Sequence, residues 1–168
     1  MRPTIYLTGF MGVGKSVIGR ELARLLRRPF IDLDLSIESA AGSSVASLFA
    51  RRGEAAFRKL ERKALLRAAK RQGVIIALGG GTLLDPRHRA LVKKGGLLIR
   101  LSCSRAELVR RLRPTRALRP ILAGGSLNAR VLRLLSERRE AYAGADWSVS
   151  TTANSPMTAA RMIAGRIP

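Results

Sequence analysis

Apolar residues along this chain follow two rhythms that alternate. Short β-rich runs lie at Thr4–Thr8, Phe30–Leu33, Val74–Leu78, Leu97–Leu101 and Trp147–Ser150. Between them apolar positions recur every three or four residues, the spacing of one helical face. Val17, Ile18, Leu22, Leu25 and Leu26 make the first such stripe, which Pro29 closes. The spacing predicts a short helix over Ser44–Arg51 with Gly53 behind it. A longer helix follows over Glu54–Arg71, with Phe57, Leu60, Ala64, Leu65 and Ala68 on one stripe. Further helices are predicted over Arg105–Arg113 and Leu127–Tyr142, and a last one begins at Pro156, a residue suited to a first turn. Pro114–Ser126 has no period and holds Pro114, Pro120, Gly124 and Gly125, which predicts a mobile loop. The run Val74–Leu78 is apolar throughout and ends in three glycines, as a strand covered on both faces would. Strand and helix therefore alternate about five times. The expected fold is a three-layer α/β sandwich around a five-stranded parallel sheet, in one domain over residues 1–168.

Composition refines this picture. Hydrophobic residues make up 46% of the 168 residues and aromatics 4%, so the core should be aliphatic. Lys and Arg number 32 against 11 Asp and Glu, a formal charge of +21, and only six of the 32 are Lys. Such a charge favours encounters with anions. The basic residues are dispersed along the chain and no aromatics interleave with them, so a base-stacking platform is not expected. The expectation is solvated helix faces and no specific nucleic-acid partner. Cys103 and His88 are each the sole residue of their type, which excludes an internal disulfide and a closed zinc site. No apolar stretch reaches membrane-spanning length. The first strand follows directly on Met1-Arg2-Pro3, leaving no room for a signal peptide. A cytoplasmic monomer without membrane contact is expected.

Chemistry first becomes specific at Gly9-Phe10-Met11-Gly12-Val13-Gly14-Lys15-Ser16, a full G-x-x-x-x-G-K-[ST] motif with a strand before it and a helix after it. Glycines let the backbone curl so that its N–H groups meet phosphate oxygens, and the helix N-terminus adds positive charge. Gly12, Val13, Gly14, Lys15, Ser16 and Val17 are thus expected to surround the phosphates of ATP. Lys15 would reach the β- and γ-phosphates, and the Ser16 hydroxyl would bind Mg²⁺. The motif does not name the acceptor. The strand over 74–78 ends in Gly79-Gly80-Gly81 where a second metal ligand would often stand, so that carboxylate must come from elsewhere. Asp32 and Asp34, two apart at a predicted strand end, would point to the same side. Asp32 would help hold the metal through water, and Asp34 would accept or orient a hydroxyl proton. Arg58 lies three residues before Glu61 on a predicted helix and can pair with it. A guanidinium also suits a carboxylate ligand.

Taken in order, Gly9–Ser16, Asp32-x-Asp34, Gly53-Glu54-x-x-Phe57-Arg58-x-x-Glu61, Gly79–Gly81, Arg119-Pro120 and Arg138-x-x-x-Tyr142 resemble the bacterial shikimate kinase family over nearly the whole chain. The resemblance implies a P-loop fold of the nucleoside-monophosphate-kinase type, with a lid near 114–126 and an acceptor-binding segment near 32–61. It implies ATP with Mg²⁺ and phosphorylation of shikimate to shikimate 3-phosphate. It further implies that Asp34 contacts the substrate hydroxyls, that Arg58 and Arg138 bind its carboxylate, and that Gly79, Gly80 and Gly81 present backbone N–H groups. Arg119, in the lid, would reach over the phosphates. Spacing to Tyr142 favours Arg138 over its neighbour Arg139, and Arg116 would support the phosphate clamp. Ser150 stands where the family often carries an aspartate. A kinase for another hydroxy acid, such as gluconate, and a nucleotide-regulated nucleic-acid-binding protein are the competing readings.

Overall fold

A computed structural model describes residues 2–167. Strands β1 (Thr4–Thr8), β2 (Phe30–Asp32), β3 (Ile75–Ala77), β4 (Gly96–Ser102) and β5 (Trp147–Ser150) form one sheet in the order β2-β3-β1-β4-β5. Every pairing is parallel, with β1 central between β3 and β4. Alternate strand residues face opposite layers. Ile5, Leu7, Ile75, Ile99 and Leu101 enter one core, and Tyr6, Ile76 and Leu98 enter the other. Helices α1 (Lys15–Leu26), α5 (Arg105–Leu112), α6 (Leu127–Glu137) and α8 (Pro156–Ala164) cover the first face. Helices α2 (Leu33–Ala41), α3 (Val45–Ala69) and α4 (Pro86–Gly95) cover the second. The short α7 (Arg139–Ala143) buries Ala141 and Tyr142 beside that second core. This is the three-layer parallel architecture expected from the sequence. Among the described residues no helix is long and apolar enough to cross a membrane.

Local differences from the expectation have physical causes. The second strand stops at Asp32, whose carboxylate accepts from Leu35 N and so starts α2, a helix the periodicity did not single out. The two helices expected around Gly53 are both present within α3, joined across a kink. Gly53 breaks them with φ 74° and ψ 170°, a conformation open to glycine at little cost. Helix α4, capped by Asp85 with Pro86 in its first turn, was also unforeseen. The helix expected over 127–142 is interrupted at Arg138, which takes φ −100° and ψ 4°. The stretch expected as a mobile loop carries 3-10 turns at Arg113–Leu118 and Pro120–Leu122, with Leu122 fully buried.

Gly19 lies inside α1 with the Phe30 ring pressed against it, so an added methyl would collide with that ring. A helix-interior Gly→Ala change usually stabilises by about 0.5–1 kcal/mol. Here overpacking, costing about 1–3 kcal/mol, should reverse the sign. Gly19→Ala is expected to lower Tm by roughly 2–8 °C in a thermal melt.

Candidate active site

Three strand ends meet at one edge of the sheet. The phosphate loop leaves β1 at Gly9, Asp32 ends β2, and the glycine run leaves β3. Crevices of this kind, outside the carboxyl ends of parallel strands where the strand order reverses, are where open α/β sheets bind ligands. In the loop, Gly12 and Gly14 take φ 80° and 97°, which turns successive amides toward one concavity ahead of α1. Lys15 folds back over the loop and donates to Gly9 O at 2.8 Å and Phe10 O at 3.0 Å. Burial lowers its pKa to about 8, against the raising effect of Asp34 and then Asp32. Both aspartates are therefore close enough to act on it. Asp32 ends β2 as expected and also caps α2, whereas Asp34 lies in the first turn of that helix rather than in the strand. Burial raises the Asp34 pKa to about 6, offset by Lys15 and reinforced by Asp32 and Glu61. Arg119 also acts on Lys15, although the one side-chain hydrogen bond it makes among the described residues, at 3.4 Å, is to Thr115 Oγ1. Val17 is 48% exposed on α1 and points away from the core.

The glycine run faces three charged groups in turn. A Cβ at Gly79 would lie 2.8 Å from Asp34 Oδ1, one at Gly80 3.1 Å from Arg138 Nη1, and one at Gly81 2.9 Å from Arg58 Nη2. Arg138 is 4% exposed, donates to Gly80 O at 3.0 Å and lies over the Phe10 ring at 5.6 Å. Arg139 is exposed, so the geometry separates the two. Tyr142 donates to the same Gly80 O at 2.7 Å, which explains the value of its four-residue spacing from Arg138. Arg58 donates to Glu61 Oε2 at 2.8 Å, while its Nε and Nη2 both donate to Glu54 Oε1 at 3.2 and 3.0 Å. Glu61, 1% exposed, is held in turn by Thr82 Oγ1 at 2.6 Å.

Some of this was invisible in the sequence. The Thr82–Glu61 bond spans 21 residues and carries no motif. Arg111 donates to Thr151 O at 2.7 Å and at 3.5 Å to Gly12 O, tying the loop after β5 to the phosphate loop. It was one arginine among many. Arg116, expected to support the phosphate clamp, holds carbonyls of its own segment, those of Leu122, Gly124 and Gly125 at 3.1, 3.2 and 2.6 Å. His88 has a structural role, with Nδ1 2.9 Å from Thr82 O.

A metal fit can be read from the donors. No group of three or more His, Cys, Asp or Glu could hold a metal among the described residues. The Ser16 hydroxyl at the start of α1 and one oxygen of Asp32, its Oδ1 being spent on Leu35 N, remain. Two such oxygens suit Mg²⁺, which keeps several waters and takes further ligands from phosphates.

A phosphate loop beside a cationic and carboxylate-lined crevice on a five-stranded parallel sheet defines a P-loop kinase for a small molecule. The profile of the shikimate kinase family matches residues 11–167. A shikimate kinase of Salinibacter ruber is 44% identical over 84% of this chain and 73% of its own. The solved shikimate kinase of Acinetobacter baumannii in complex with shikimate superposes with TM-score 0.92 at 30% identity, covering 97% of this chain and 91% of that one. A gluconokinase of Sinorhizobium meliloti shares the fold alone, with TM-score 0.55 and 17% identity over 98% of this chain and 94% of its own. The chain belongs to the shikimate kinase family.

The two carboxylates on Arg58 should respond differently to removal. Thr82→Val strips a donor from buried Glu61 and should lower unfolding free energy by about 1–3 kcal/mol. Glu54, with its side chain 65% exposed, sits where ion pairs contribute little, so Glu54→Gln should change stability by less than about 1 kcal/mol. Urea midpoints of both variants, measured side by side, check the contrast.

Proposed function

We propose that this chain transfers the γ-phosphoryl group of ATP to a hydroxyl of shikimate, giving shikimate 3-phosphate and ADP. The observation that carries the reading is that Asp34, Arg138 and Arg58 each abut one glycine of the run beside the phosphate loop. Two guanidiniums and a carboxylate around one crevice suit a small acid that also bears hydroxyls. In this reading Arg58 and Arg138 bind the carboxylate, and Gly79–Gly81 offer backbone N–H groups. The amides of Gly12–Val17 and the Lys15 ammonium hold the β- and γ-phosphates. Ser16 and Asp32 hold Mg²⁺, which when bound neutralises charge on the phosphate oxygens.

Asp34 takes the proton of the attacking hydroxyl. With a pKa near 6 it is a better base than an ordinary carboxylate, yet still ionised near neutrality. The oxygen so exposed attacks the γ-phosphorus as the bond to the ADP oxygen breaks. Arg119 offsets charge on the transferring group, a role worth about 10³–10⁵ in rate for arginine fingers in GTPases. The segment 114–126 acts as a lid that excludes water, which would otherwise be phosphorylated in place of the acceptor. Arg116 stiffens that lid rather than touching phosphate. The whole chain works as one kinase domain, as a monomer, in a cytoplasm that keeps Cys103 reduced.

A coupled ADP-release assay across shikimate, gluconate and nucleoside monophosphates should give turnover with shikimate alone, and comparable turnover with gluconate would sink the acceptor assignment. Lys15→Ala should abolish turnover. Arg58→Ala removes a charge-assisted bond worth about 1.5–3 kcal/mol, so KM for shikimate should rise roughly 10- to 150-fold with KM for ATP little changed. The pH profile of kcat/KM should be bell-shaped. Asp34 must be ionised, so activity falls as pH drops through about 6. Lys15 must be charged, so it falls again above about 8. Asp34→Asn should remove the acidic limb along with most of the activity, whereas a profile flat from pH 5 to 9 would contradict both roles.

A further inference from the structure

We propose that the end of the molecule opposite the active site is a docking surface for the phosphate backbone of a nucleic-acid duplex. The sheet is wholly parallel, and α1, α3 and α4 each run back from the catalytic edge to feed the next strand. Helix α8 descends likewise from the end of β5 and packs on α1. All four C-termini therefore lie at one pole. Each ends in exposed or half-exposed cations. Helix α1 is followed by Arg27 and Arg28, and α3 by Lys70 and Arg71. Lys93 and Lys94 close α4, and Arg161 and Arg166 lie at the end of α8. Arg2 joins them ahead of β1. Among the described residues none of these nine is in an ion pair with a carboxylate.

The topology thus brings nine of the 32 basic residues, dispersed in sequence, to one pole. One cation per helix end would complement the C-terminal dipole, so the surplus has no such explanation. The crowding is felt, since Arg2 opposes the charge on Arg28, whose pKa is lowered first by burial and then by that neighbour. The exposed apolar side chains near these helix ends are Leu25, Leu66 and Met162, one on each of three helices, and none is an aromatic on which a splayed base could stack. The nearby rings of Phe30 and Trp147 pack against the core and are not presented to solvent as a platform. What remains is contact with phosphates. The helices flank both faces of the sheet at about 10 Å per layer, so the pole spans roughly 20 Å. That length of duplex carries about twelve phosphate charges. Binding there would be sequence-independent and would leave the catalytic crevice open.

The test is fluorescence anisotropy of a labelled random-sequence 20-bp DNA duplex with the full chain between 50 and 300 mM KCl. Binding should weaken linearly on a log–log plot. Lys70→Gln/Lys93→Gln/Lys94→Gln should reduce the slope by about 0.9 for each phosphate no longer neutralised, roughly 2.7 in all. Kinase activity of that variant should be unchanged. An equally charged control, Arg105→Gln/Arg110→Gln/Arg113→Gln on and just after α5 at the catalytic end, should keep the wild-type slope. The proposal is overturned if the wild type does not bind, if both triple variants lower the slope equally, or if saturating ATP displaces the duplex. It is also overturned if vesicles of phosphatidylserine and phosphatidylcholine bind the pole while the duplex does not.

Discussion

Three charged side chains can reach the end of one strand only when nothing projects from the backbone between them. That steric condition is met at residues 79–81, where Asp34, Arg138 and Arg58 close in from α2, from the junction of α6 and α7, and from α3. Strand β3 is buried on both faces, so its end is a fixed point. The Gly80 carbonyl then fixes two partners at once, accepting from Arg138 and from Tyr142. The crevice is thus shaped by the absence of atoms as much as by their presence. Helices from both layers are registered against that gap.

Charge is held there under strain that is partly self-cancelling. Burial drives Lys15 and Asp34 each toward neutrality, and their mutual attraction opposes the drift. Each also supplies the other with a reason to remain ionised before any ligand arrives. Arg58 is anchored on its inner side by Glu61, which Thr82 anchors in turn. Arg138 has no carboxylate partner among the described residues and rests instead on a carbonyl and the face of Phe10. Groups oriented in advance in this way need little reorganisation when charge moves, the condition under which a fixed electrostatic field lowers a barrier.

The sequence announced the architecture because a fully buried parallel sheet leaves strong marks. Apolar strands ended by glycine and stripes of Leu and Ala placed all five strands to within a residue or two. Helices α2 and α4 were harder, since each owes its start to an aspartate cap whose role depends on where the preceding strand stops. The phosphate loop was legible from spacing alone. Asp34 stands near Lys15 although it opens a helix rather than ending a strand, because that proximity survives either geometry. Arg58 and Arg138 needed their neighbours in the pattern to stand out from the other arginines. Glu61 as a buried anchor, Thr82 behind it and Arg111 bridging to Thr151 are products of long-range packing, which local spacing does not encode. The coincidence of helix ends at one pole is likewise a product of the parallel topology and leaves no mark in local spacing.

Arg58 meets the solvent already latched. Its outer fork, Nε and Nη2, is taken by a single oxygen of the exposed Glu54. Under the proposed reading, a carboxylate ligand would displace only that one oxygen, whose hold is weak at 65% side-chain exposure, while Nη1 keeps its bond to buried Glu61. The guanidinium would then pivot on its inner edge, and freeing its outer edge would cost little.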